Sequence, residues 1–95
     1  MPGYLVLESE ITDPEKYDKY RQMAGSSIVQ YGGRFLVRGG NPQVLEGGWS
    51  PKRVVIIEFP SVERAKAWFN SPEYAPAKAL RKDAARIKMV AVEGV

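Results

Sequence analysis

The side chains whose types and spacing could do chemistry are Arg38, Glu58, Tyr17, Tyr20, Trp68, Tyr74 and Arg81. The chain has 95 residues and contains neither histidine nor cysteine. That excludes a Ser-His-Asp or Cys-His nucleophile, an imidazole base, a zinc site of sulfur and nitrogen ligands, and a redox dithiol. The usual histidine or cysteine haem ligand is excluded with them. The reactive groups left are guanidinium, ammonium, carboxylate, phenol and indole, so neither a metal nor a cofactor is expected.

Arg38 precedes Gly39-Gly40. A guanidinium beside a glycine turn grips a carboxylate or phosphate bidentately, and glycine lets the ligand approach the backbone. The structural alternative is an ion pair with Glu58 or Glu46. Glu58 interrupts the apolar run of residues 54–59. A carboxylate there must be paired, exposed at the strand end, or shifted in pKa. It is a candidate general base, although an ion pair with a neighbouring-strand arginine is the simpler role. Tyr17 is the other catalytic candidate. Tyr17 and Tyr20 lie one helical turn apart, and Trp68 and Tyr74 come from a later helical region. These aromatics either fill the core or line a pocket in which phenols orient a polar ligand. Arg81 follows Tyr74 by seven residues and shares its helical face.

The elements that must position these groups read off the spacing. Residues 4–11 form a strand that ends before Asp13-Pro14, an N-cap followed by a first-turn proline. Tyr17, Tyr20, Ala24, Ile28 and Tyr31 then mark one helical face, and Gly32-Gly33 stops it. Residues 34–38 form a second strand. Gln43 to Glu46 extends or flanks the sheet, and Trp49 sits at the tip of a glycine loop. Residues 53–59 form the third strand. Ser61 caps a second helix, interrupted at Asn70-Ser71-Pro72, where Ser71 can cap a new start, with a kink or a one-turn false start at Pro76. Residues 86–93 form the last strand.

The order βαββαβ predicts an α+β, ferredoxin-like domain over residues 1–95, a four-stranded antiparallel sheet with two helices on one face. Such a sheet should alternate apolar and polar residues. Instead Val54 and Ile56 point one way while Val55, Ile57 and Phe59 point the other. Both faces read as buried, and two helices cover only one. The expectation is a homodimer packed sheet against sheet, with Trp49 at the contact.

Several motifs run in the same order as in a known family: Asp13-Pro14 with Tyr17 and Tyr20, Gly32-Gly33-Arg34-Phe35, Arg38-Gly39-Gly40, Glu58-Phe59-Pro60-Ser61, Trp68, Ser71-Pro72-Glu73-Tyr74, and Glu93-Gly94-Val95. Over nearly the whole chain the series resembles domain-of-unknown-function family number 1330. The resemblance implies a dimeric α/β barrel. It assigns no reaction, and its wider superfamily holds cofactor-free monooxygenases, haem-dependent peroxidases and small-molecule isomerases.

The net charge of +3 is uneven. Residues 1–33 carry three basic and five acidic side chains, and residues 34–88 carry eleven and five. A basic later half suits a small anionic ligand. Nucleic acid is not an expected partner: RNA-recognition domains of this topology carry stacking aromatics on their central strands, and here the third strand is aliphatic through its centre. No stretch approaches a membrane span, and no leader pattern opens the chain, so a cytoplasmic location is expected. The function expected is a metal-free site for an anionic or enolic small molecule between helices and sheet. The alternative is a non-catalytic structural or partner-binding dimer.

Overall fold

The computed structural model describes all 95 residues. The chain runs β1 (Gly3–Ile11), α1 (Pro14–Gln30), β2 (Arg34–Gly39), β3 (Val54–Phe59), α2 (Val62–Phe69), α3 (Ala75–Arg81) and β4 (Ala85–Glu93). The four strands form one antiparallel sheet in the order β2-β3-β1-β4. This is the ferredoxin-like plan expected from the sequence, with one difference. The break expected at Asn70-Ser71-Pro72 is present and leaves two short helices, and Pro76 sits in the first turn of α3 rather than kinking it. Its missing N–H is one that a first turn leaves unpaired anyway. Ser71 turns the chain between the two, accepting from the Tyr74 N–H at 3.1 Å and donating to the Trp68 carbonyl at 2.7 Å.

The caps fall where the residue types put them. The Asp13 carboxylate accepts from the Lys16 N–H at 3.2 Å, and Ser61 Oγ accepts from the Arg64 N–H at 3.1 Å. Each satisfies a donor that the helix start would leave orphaned. Residues 43–46 form no strand and belong to an irregular arm, residues 40–53, between β2 and β3.

The core lies between the helices and one sheet face. Leu5, Leu7, Val55, Ile57 and Phe59 meet Tyr17, Tyr20, Ala24 and Ile28 of α1 and Ala65 and Trp68 of α2. Trp68 is 1% exposed, and its Nε1 donates to Ser27 Oγ at 2.9 Å. Ser27 in turn donates to the Ala24 carbonyl, and no buried side-chain polar atom lacks a partner. The opposite sheet face carries Val6, Val37, Val54, Ile56, Val90 and Val92, with no helix over it. The molecule is therefore a slab of 36 × 35 × 16 Å, one helix layer on one sheet layer.

Candidate functional site

A bulge in β2 decides which side chains reach the space between helices and sheet. Phe35 pairs with Ile57 and Arg38 with Val55, so the residue between the paired segments, Leu36, is an extra one. In a regular strand Phe35 and Arg38, three apart, would face opposite ways. The bulge restores them to the same side. The Arg38 guanidinium carbon then lies 4.1 Å from the centroid of the Phe35 ring.

Arg38 thereby joins a cavity lined by Tyr17, Tyr20, Phe35, Arg53, Val55 and Trp68, with Arg21 at its edge. The enclosed part holds about 30 Å³, and with its open mouth the space reaches about 430 Å³. The interior admits a group the size of one or two waters, such as the oxygens of a carboxylate. A larger body would occupy the mouth.

Arg53 was not singled out by the sequence reading, and it is central here. Its Nη1 donates to Tyr17 Oη at 2.8 Å and lies 3.5 Å from Ser9 Oγ. Its side chain runs along Gly39, whose φ of +99° favours glycine. A signal was present: Arg53 shares the parity of Val55, Ile57 and Phe59, so a cation stands at the end of a core-facing row.

The polarity of the lining is one-sided. Guanidinium groups only donate, and the Tyr17 oxygen already accepts from Arg53, leaving its O–H to donate elsewhere. Arg21 is paired with Asp18, and the Trp68 N–H with Ser27. No carboxylate or carboxamide side chain lines the cavity. The arrangement therefore presents hydrogen-bond donors and positive charge between aromatic walls. It can hold an acceptor-rich anion, and a phenol beside a guanidinium can stabilise oxygen on which negative charge collects.

The other sequence-nominated residues divide. Tyr74 stands behind Tyr20, their hydroxyl oxygens 2.9 Å apart, outside the cavity wall. Arg81 Nη1 donates to Tyr74 Oη at 3.1 Å and also lies outside the wall. Burial and the neighbouring Tyr74 hydroxyl hold Tyr20 well above the ordinary phenol range, so it is a neutral hydrogen-bonding group.

Glu58 is on the other sheet face, across the sheet from Tyr17. Its partner is Arg34 at 2.7 Å, and this pair, with Tyr4, holds its carboxyl below the usual range despite partial burial. The neighbouring-strand ion pair anticipated for Glu58 is thus present, but with Arg34. The bulge turns Arg38 to the helix side, so it does not pair with Glu58, and Glu58 and Tyr17 stand on opposite faces of the sheet. No group of three or more carboxylate side chains converges to hold a metal ion, and no helix is long and apolar enough to cross a membrane.

The sequence pattern of the domain of unknown function DUF1330 matches residues 2–95. The chain belongs to the DUF1330 family. Among solved structures, this DUF1330 chain is similar to a protein of unknown function from Rhodopseudomonas palustris, with a TM-score of 0.81 and 20% identity over 99% of this chain and 82% of that one. It is also similar to SnoaB, a cofactor-independent oxygenase from Streptomyces nogalater, with a TM-score of 0.66 and 7% identity over 99% and 93% of the two chains. A dimeric protein of unknown function and ferredoxin-like fold from Bacteroides fragilis gives a TM-score of 0.57 and 10% identity over 98% and 96%. At these identities the likeness of the DUF1330 chain to all three is one of fold. No curated protein matches it by sequence.

Proposed function

We propose that this DUF1330 protein is a homodimer that binds a small conjugated anion, a carboxylate or an enolate, in the cavity between α1 and the sheet. The observation that carries the reading is the pair of arginines, Arg38 and Arg53, lining a cavity of aromatic and aliphatic walls with no carboxylate or carboxamide side chain. Arg38 and Arg53 take the negative oxygens, Tyr17 donates to an adjacent oxygen, and the planar body lies in the mouth against Phe35. Tyr74 and Arg81 support Tyr20 from behind. If the ligand turns over, Tyr17 is the group placed to pass a proton. SnoaB, of the same fold, is a cofactor-independent oxygenase, so chemistry without a bound cofactor is compatible with this scaffold.

The homodimer reading rests on surface. The chain exposes 6126 Å². A monomer of its mass is expected to expose about 5,500 Å². Exposed apolar side chains include Val90 and Val92 on the uncovered sheet face and Val44, Leu45 and Trp49 on the arm beside it. A second copy of the same face buries these residues, and about 800 Å² per partner suffices for a stable interface.

The test is a thermal-shift screen of benzoate, salicylate, small enolic aromatics and inorganic phosphate on wild type and on Arg38→Ala. A compound that raises the midpoint of wild type but not of the folded variant supports the site. A broad panel with no binder removes it and leaves a structural or partner-binding dimer. Sedimentation at micromolar concentration checks assembly, and a monomer there overturns the dimer.

A further inference from the structure

Arg53 is held from the far side of the sheet. Three consecutive residues of β1, Glu8, Ser9 and Glu10, grip residues 49–53 of the arm. Glu8 Oε2 accepts from Trp49 Nε1 at 2.6 Å, and Glu10 Oε2 lies 3.5 Å from Lys52 Nζ. Both carboxylates belong to the uncovered face, as their pairing with Lys88 and Arg86 of β4 shows. Ser9, between them, faces the helices, and its N–H donates to the Arg53 carbonyl at 3.0 Å. The arm thus rounds the end of the sheet, leaving Trp49 on the open face and delivering Arg53 to Tyr17. Pro51 stiffens the short link between them.

We infer that Glu8 and Trp49 are positioning residues for the anion cavity, and that a second copy covering the open face completes the site through them. This rests on the binding and dimer reading above. In the single chain Trp49 is 60% exposed, so water competes for its bond to Glu8. Covering the face removes that water and strengthens the charge-assisted bond. A firmly seated arm holds Arg53 at Tyr17 instead of leaving it to solvent. Anion affinity and dimer stability are then coupled, and by linkage each raises the other.

Salicylate is a suitable probe because it fluoresces, so its polarisation reports binding at any protein concentration. The experiment titrates wild type, Trp49→Phe, Glu8→Gln and Arg38→Ala across the dimer dissociation constant. Wild type should bind more tightly as the protein dimerises. Trp49→Phe and Glu8→Gln should bind about tenfold more weakly than dimeric wild type and lose the dependence on protein concentration. Arg38→Ala should weaken binding at every concentration yet keep that dependence, which separates a ligand contact from a positioning role. Trp49→Phe leaves Trp68, in the cavity wall, as the sole tryptophan, and the blue-shifted emission of a buried indole checks that the core is intact. Wild-type binding that the Trp49 and Glu8 variants share unchanged overturns this inference alone. No binding by wild type overturns the ligand reading and this inference with it.

Discussion

Phe35 and Arg38 lie on the same side of β2 although three residues separate them, and the guanidinium carbon of one sits 4.1 Å over the ring of the other. The stacking fixes the plane of a side chain whose charge is otherwise uncommitted. Arg38→Lys is expected to weaken binding of a carboxylate probe by about tenfold, because lysine keeps the charge but loses the two-pronged geometry. The side chain is exposed, so the melting midpoint should hardly move. Calorimetric titration against wild type checks both. Equal affinity in the lysine variant would reduce the role of Arg38 to a diffuse positive charge.

Ser27 is the only partner of the buried Trp68 N–H. Ser27→Ala leaves that donor unsatisfied at a site with no water access and should cost about 1–3 kcal/mol. In a Trp68→Phe background the same serine substitution should cost much less, since the donor is gone. Urea midpoints of the four proteins close the cycle, and additive effects would mean the bond contributes nothing.

Two glycines give opposite expectations. A Cβ at Gly33 would lie 2.7 Å from Ile28 Cγ2 and 2.8 Å from the Phe59 ring, so Gly33→Ala should cost about 1–3 kcal/mol through overpacking. A Cβ at Gly25, inside α1, meets nothing within 4 Å. Gly25→Ala should therefore stabilise by about 0.5–1 kcal/mol, as relief of backbone entropy in a helix. Thermal melts order the two around wild type, and the reverse order would contradict the packing described for the α1–β2 turn.

The pair of Glu58 and Arg34 sets an acid limb. Its folded pKa is lowered from the ordinary 4.5, so its contribution is present above that value and lost as pH falls through the folded value. Glu58→Gln should be less stable than wild type at pH 6, with the gap closing below about pH 4. The Arg34 side of the pair is largely exposed, and the gap is small. Melting midpoints across pH for both proteins test it, and a gap that widens in acid contradicts the pairing.

Tyr20 sets the alkaline limb with the opposite sign. Its folded pKa is raised above the ordinary 10.0 by burial and by Tyr74. The unfolded chain releases its proton above pH 10 while the folded chain retains it, so stability falls as pH rises past that point. Tyr20→Phe should flatten that fall. Stability between pH 9 and 11 is the measurement, and identical slopes would place the alkaline loss elsewhere.

Caps and faces were legible from the chain because they are local. Asp13-Pro14 and Ser61 announce helix starts through their own chemistry, and residues 54–59 announce a sheet that is apolar on both faces. Tyr17, Tyr20 and Trp68 followed from helical spacing alone. The bulge did not, since Leu36 carries no glycine or other mark of an extra residue, and it is created by pairing with β3, far along the chain. That unseen residue moved Arg38 to the helix side and left Glu58 to Arg34. Arg53 was hidden differently: its parity was readable, but only the path of the arm and the grip of Glu8 and Ser9 bring it to Tyr17.

The same bulge makes the two borders of the sheet unequal. Along β4 the ladder to β1 runs unbroken from Gly3–Glu93 to Ile11–Ala85, so the outer rim of β4 offers a regular row of backbone donors and acceptors. Along β2 the extra residue at Leu36 twists the rim and breaks that row. Growth of a sheet by adding strands from further copies needs two usable borders on every molecule. With one border interrupted, strand addition through β4 is expected to stop at two copies rather than run on.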